Sequence, residues 1–218
     1  NGYARIDGFI KADGTILLND PNTTSGMLPS SFFFHRAAEI GLNPSQFITY
    51  IIRVSLQARI ADIKSYKILP WLLQHIDRNI ASLKSSKNSK KKIAVILGGY
   101  SSERHISVES GRNIYEKLSS SDRYQPIPVF LSGNDKQHSM YLIPINVLLK
   151  DNADDIKEKV DSFERHPVIK EIINECSGIT SLYASPGNLE APREITYDEL
   201  ATVVDGVFIA LHGRPGED

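Results

Sequence analysis

With one cysteine, Cys176, the chain has no partner for an internal disulfide. A lone thiol fits a reducing compartment, so the cytoplasm is the expected location, and a structural thiol is the expected role. No stretch approaches the roughly 18 apolar residues of a membrane span. The opening NGYARID has neither an initiator Met nor the basic-then-apolar pattern of a signal segment, and the chain reads as an excerpt of a longer protein. Charge of one sign is also lacking. Lys plus Arg number 25 against 26 Asp plus Glu, a net charge of −1, so no overall field draws nucleic acid or an anionic membrane. His35, His75, His105, His138 and His166 show no metal-type spacing.

What is present is ordinary globular composition, 41% hydrophobic and 23% charged, over 218 residues. The pattern divides in two. Residues 3–10 and 15–20 read as strands around Asp13-Gly14, a hairpin signal. NTTSGMLPSS is rich in turn formers and reads as loop. A helix is expected over 31–40, and a second from Asn43-Pro44, with Asn as cap and Pro at the first helical position. Pro70 is expected to break or kink it, with a third helix over 71–83. KSSKNSKKK (84–92) carries five lysines; without interleaved aromatic residues it reads as a solvated linker rather than a nucleic-acid contact. From there the character changes. IAVIL (93–97) is a continuous apolar run typical of a strand buried on both faces. GGYSS, a helix from about 104 to 118 and the strand YQPIPVFL (124–131) follow. This β-loop-α-β start implies a parallel sheet with a right-handed crossover. Helices are expected near 153–164 and 167–176, loop over SPGNLEAPRE, and a buried strand in VVDGVFIAL (203–211). The two pieces do not repeat one another.

A two-residue turn at Asp13-Gly14 would pair Ala12 with Thr15, and Asp7 would then face Asp20 and Arg5 face Asn22 on one side of the hairpin. Opposed like charges destabilise a strand pair. A hard divalent cation such as Mg²⁺, which takes carboxylate oxygens with water and phosphate, would remove the conflict. A surface hairpin with splayed carboxylates, or carboxylates neutralised by Arg5, is the competing reading. A bulge or an odd loop residue would change this register.

ILGGYSSERHIS sets two glycines and three hydroxyls between a buried strand and a helix. Ligands of parallel sheets sit at the carboxyl ends of strands, where helix N-termini and exposed N–H groups favour anions. The Lys of a P-loop and the third Gly of a dinucleotide fingerprint are missing. Glu103 argues for holding an ammonium group; alternatively Ser101 or Ser102 caps the helix and Glu103 meets its dipole. ALHGRPGED follows the other buried strand, so it should open on the same rim, with His212 either a polar contact there or a loop histidine with no role.

Taken together, these motifs resemble the D-alanine–D-alanine ligase family of the ATP-grasp superfamily, in an unexpected order. KKIAVILGGYSSERHISVESGRNIYEKL is similar to the start of such a ligase, and VFIALHGRPGED to the end of its N-terminal domain. GYARIDGFIKADGTILLNDPNTTSGMLPSSFF is similar to the end of the catalytic domain, which in the family comes last. The resemblance covers about 1–60, 92–131 and 203–218. It implies an α/β chain: the C-terminal portion of an ATP-grasp domain, β-hairpin plus helices (1–60), then a helical connector and Lys/Ser-rich linker (61–92), then a Rossmann-like parallel-sheet N-terminal domain (93–218). Two fused ligase units, with the chain straddling their junction and 61–92 as connector, is the favoured explanation of this order, because the first piece starts within a domain and the second ends at a domain boundary; a circularly permuted ligase is the alternative.

The resemblance also implies site roles. Asp7, Asp20 and Asn22 match ligands of Mg²⁺ (or Mn²⁺) that bridge ATP phosphates. Arg5 matches the arginine that stabilises the transferring phosphate, and Gly26 lies in a loop donating backbone N–H groups there. Ser31 matches a contact to the second D-alanine's carboxylate. Glu103 matches the anchor of the first D-alanine's ammonium group, and His212 a histidine at that pocket. The chain departs from the pattern where the family usually has Glu in place of Asp20, and at Thr24-Ser25-Gly26 and Pro21. The implied activity is ATP-dependent joining of two D-alanines through an acyl phosphate, for peptidoglycan precursors, by a homodimer or an intramolecular pair of ligase units. Another ATP-grasp amino-acid ligase, or a non-catalytic half supporting an active unit, are the other implied readings. The family's ATP-binding central domain has no match in the sequence, so the 218-residue chain alone is expected not to turn over.

Overall fold

The structure is a computed structural model, and it describes residues 3–23, 27, 31–62, 67–85, 90–185, 187–213 and 216. The chain begins with an antiparallel hairpin of β1 (Arg5–Ile10) and β2 (Ile16–Asn22). Its turn has three residues, not two. Lys11 N donates to Thr15 O at 3.0 Å, Gly14 N donates to Lys11 O at 3.0 Å, and Gly14 takes φ +83°. Thr15 N also donates to Asp13 Oδ1 at 2.9 Å. This is the type I turn followed by a left-handed residue that joins three-residue hairpins.

The extra loop residue shifts the pairing. Asp7 faces Asn19, not Asp20, while Arg5 faces Asn22 as expected. A second irregularity between Ile6 and Asp7 restores the register. There Asp20, at φ +48°, is the unpaired residue of a bulge; Asp is among the few non-glycine types that tolerate this conformation. Pro21 follows directly, and bulges are among the few places in a sheet that accept proline.

Three helices follow: α1 (Phe32–Glu39), α2 (Pro44–Asp62) and α3 (Ile68–Ser85). Asn43 caps α2 reciprocally: Gln46 N donates to Asn43 Oδ1 at 2.8 Å, and Asn43 N donates to Gln46 Oε1 at 2.9 Å. Pro70 is the third residue of α3, where its missing N–H costs nothing because first-turn amides lack intrahelical acceptors. It therefore sits inside the helix rather than breaking it.

The second half is built on a five-stranded sheet in the order β6-β5-β4-β3-β7. Its strands are β3 (Lys91–Gly98), β4 (Tyr124–Gly133), β5 (His138–Leu142), β6 (Arg193–Ile195) and β7 (Gly206–Ile209). β3 pairs in parallel with both β4 and β7, but β5 pairs antiparallel with β4 and with the edge strand β6, so β5 alone runs against the other strands. The sheet is thus mixed, not the all-parallel sheet expected. The reason is the tight turn over residues 133–138, where Asn134 N donates to Gln137 O at 2.8 Å and Gly133 sits at φ +133°. So short a connection can return a strand only antiparallel. The last strand is also shorter than expected, because Val203 still belongs to helix α9 (Tyr197–Val203).

Helix α4 (Arg104–Ser119) is the crossover between β3 and β4. With α5 (Ile145–Lys150) and α6 (Ala153–Asp161) it contributes to the main core, in which Val95, Leu97, Val108, Phe130, Leu148 and Ile156 are buried. α7 (Pro167–Glu175) matches the helix expected over 167–176, and α8 (Ser177–Tyr183) follows it where no helix was expected. A second cluster, with Ala94, Val129, Leu131 and Leu200, covers the sheet's other face beneath α9. No described helix is long and apolar enough to cross a membrane.

Candidate functional site

The carboxyl end of β3 turns at Gly98 and Gly99, with φ of +93° and +90°. A side chain at Gly98 would collide with the Phe130 ring and approach Leu131 O to 2.9 Å, so glycine is required there for close approach as well as conformation. Gly99 N donates to Leu131 O at 2.8 Å, which ties the loop to β4.

Three serines then bind this loop and α4 to the carboxyl end of β7. Ser101 Oγ donates to His212 O at 2.7 Å and accepts from Glu103 N at 3.0 Å. Ser107 is fully buried; its Oγ accepts from Gly98 N at 2.8 Å and donates to Ala210 O at 2.9 Å. Ser110 Oγ lies 2.9 Å from His212 Nε2. Gly213, at φ +65°, has its bare α-carbon against Ser101, with Glu103 just beyond.

The structure therefore brings Glu103 and His212 to one rim, as the sequence predicts. Ser101 is not a simple helix cap: Glu103 is the N-cap residue of α4 and makes no side-chain cap bond. Its carboxylate is exposed. Ser107 and Ser110 were not singled out in the sequence. The signal that could have found them is a hydroxyl repeated at 101, 107 and 110, from a loop through the first two turns of a helix facing a second strand end.

Beside the rim, Arg104 Nε donates to Asp154 Oδ1 at 2.8 Å, and its Nη2 to Oδ2 at 3.2 Å. The Arg104 guanidinium holds the Asp154 carboxyl below its usual range. Arg112 on α4 donates from Nε to Leu148 O at 2.8 Å and from Nη2 to Asp151 O at 2.9 Å. At the buried end of α4, desolvation pushes the Tyr115 hydroxyl up to about 12.

Of the residues expected in the first segment, Arg5, Asp7, Asp20, Asn22 and Ser31 are described, and Gly26 lies outside the described residues. Arg5 Nη2 is 3.5 Å from Asp7 Oδ2, both well exposed, so this pair contributes little stability. Asp7, Asp20 and Asn22 are hard oxygen donors on a hairpin with mostly exposed side chains. That chemistry fits Mg²⁺, which takes a few carboxylates and completes its shell with water and phosphate. Among the described residues, no group of three His, Cys, Asp or Glu side chains could hold a metal. Ser31 is the N-cap residue of α1 but makes no side-chain cap bond, and its buried Oγ has no hydrogen-bond partner.

Known proteins match both halves of the chain. A family model described as D-ala D-ala ligase N-terminus matches residues 92–218, and one described as D-ala D-ala ligase C-terminus matches residues 1–53. A D-alanine–D-alanine ligase of Streptomyces avermitilis is 28% identical over 135 residues, covering 59% of this chain and 31% of that protein. One of Chlorobium limicola is 26% identical over 136 residues, covering 60% and 31%. One of Streptomyces coelicolor is 29% identical over 133 residues, covering 58% and 30%. The chain thus spans about a third of the length of these relatives. No solved structure matches it. Since the N-terminal model alone takes in more than half of its residues, the chain belongs to the D-alanine–D-alanine ligase family.

Proposed function

We propose that the protein carrying this chain is an ATP-dependent, ADP-forming ligase that joins two D-alanines for peptidoglycan precursors in the cytoplasm. The observation that carries this reading is the serine-tied rim, where Ser101 bridges the Glu103 amide and the His212 carbonyl. Glu103 would hold the first D-alanine's ammonium group by a charge-assisted hydrogen bond. His212, set by Ser110, would contact the same substrate. The unpartnered Ser31 hydroxyl would donate to the second D-alanine's carboxylate. Arg5 and backbone N–H groups of the loop around Gly26 would stabilise developing negative charge.

In the reaction, a carboxylate oxygen of the first D-alanine takes the terminal phosphoryl group of ATP. The second D-alanine's amine attacks that acyl carbon, its proton is lost, and inorganic phosphate leaves. Bound Mg²⁺ or Mn²⁺, for which Asp7, Asp20 and Asn22 are the candidate ligands, would neutralise phosphate charge during transfer. A homodimer, or pairing of ligase units within one chain, is the assembly this reading expects.

One observation favours a second reading, a first segment that supports the fold without catalysing. The bulge removes Asp20 from its place opposite Asp7. The two readings separate when the full-length protein receives ATP, Mg²⁺ and a panel of D- and L-amino acids and phosphate release is measured. Release that depends on D-alanine is expected. No release with any amino acid would contradict the ligase reading.

A further inference from the structure

We propose that the ligase C-terminal segment of this chain is the structural partner of the ligase N-terminal domain that follows it, so that the two, in reversed order, complete one ligase site. The substrate part of this inference rests on the function proposed above; the structural part does not.

The observation behind it is a joint interior. Ala38 of α1 is fully buried in the main core, in the same cluster as Val95 and Leu97 of β3, Val108 of α4 and Leu148 of α5. Beside it, Glu39 is only 9% exposed. Its carboxylate accepts from Asn146 Nδ2 at 3.0 Å and from Lys150 Nζ at 2.8 Å, both on α5. A buried carboxylate is costly unless paired, so α1 in this form requires α5.

The backbone that ends α1 is satisfied the same way. Thr180 Oγ1 donates to Ile40 O at 2.9 Å, and Asn188 Nδ2 donates to Gly41 O at 2.7 Å. Gly41, at φ +84°, lies against Leu189 and Ala184. From α2, Gln46 Nε2 donates to Ser185 Oγ at 3.2 Å, and Tyr50 meets Tyr183 edge-on with ring centres 5.7 Å apart. An apolar centre crossed by several side-chain hydrogen bonds is the anatomy of a permanent interface, not of a passing contact between domains.

Charge and shape tie α1 to α4 as well. The Arg112 and Lys150 cations act on His35, in the first turn of α1, with Asp151 opposing them. Asn43, just past the end of α1, shares a cavity of about 470 Å³ with Tyr115 and Ser119 near the end of α4. The N-cap of α1 carries the Ser31 hydroxyl, which has no hydrogen-bond partner among the described residues; on the proposed function it is this segment's contribution to the shared site.

Charge reversal in the full-length protein tests this. Glu39→Lys and Lys150→Glu should each lower Tm by an amount on the order of 5 °C, and the double variant should regain at least half of that loss. Co-refolding Glu39→Lys chains with Lys150→Glu chains should not restore it. A double variant no more stable than the weaker single would overturn the inference. So would restoration on mixing the two singles, which would place the segment on another copy. If a reversal variant does not fold, Glu39→Gln with Lys150→Met closes the same cycle with smaller shifts. Because the readout is stability, a negative result here leaves the ligase reading standing, and an inactive protein leaves this one standing.

Discussion

At the rim, Ser110 Oγ lies 2.9 Å from His212 Nε2. Ser110→Ala should remove this contact to the ring while leaving Glu103 and the Ser101 bridge in place. The expected outcome is a KM for D-alanine raised several-fold with Tm nearly unchanged, read from initial rates and a melting curve of the full-length protein. His35 makes a second residue-scale prediction. Burial, then the Arg112 and Lys150 cations, hold its imidazole below the usual value of 6.5, with Asp151 opposing them. The unfolded chain binds that proton more readily, so this stability is present above the unfolded value and falls as pH drops through it. His35→Gln should flatten the loss of stability between about pH 7 and pH 5, measured by urea unfolding. Asp7 and Asp20 mark how far residue-level reading of the sequence reaches. Asp13-Gly14 announces a turn but does not say whether it has two residues or three, and one residue decides which side chains face each other. The Asp20-Pro21 pair was the visible sign that this strand is irregular.

Among the elements, β3, α4 and β4 were legible because their patterns are local: an apolar run, a glycine turn, and a helix with a buried stripe. The reversed strand β5 and the edge strand β6 were not. β6 is three residues long, and β5 is set by a turn over 133–138 rather than by its own alternation. The serine ties belong to this scale too, since they exist only once β3, α4 and β7 are assembled. Ser107→Ala would remove the acceptor of Gly98 N and the donor to Ala210 O, both buried. Leaving two such groups unmet costs about 2–6 kcal/mol. Chemical denaturation should report a loss of that size, and a loss below about 1 kcal/mol would mean that water replaces the hydroxyl.

For the whole molecule, the sequence showed two ligase ends in inverted order but not their physical relation. Only packing reveals that Ala38 and Glu39 are interior to the following domain. The hairpin stands apart from this interior: Phe9 is 66% and Ile10 79% exposed. The two family models match residues 1–53 and 92–218 and leave only 54–91 between them, too few for the central domain that the resemblance implies binds ATP. The isolated chain should therefore fold its α/β core and yet release no ADP; robust ADP release from it would refute that. The central claim is that Glu103 on the serine-tied rim anchors an amino-acid ammonium group in a D-alanine ligase. The most direct test is phosphate release by the full-length protein with ATP and Mg²⁺, with D-alanine or L-alanine, before and after Glu103→Gln. The account predicts release with D-alanine and not L-alanine, and a D-alanine KM raised at least ten-fold at the site that Glu103 serves. Equal release with both enantiomers, or no change on Glu103→Gln, would contradict it.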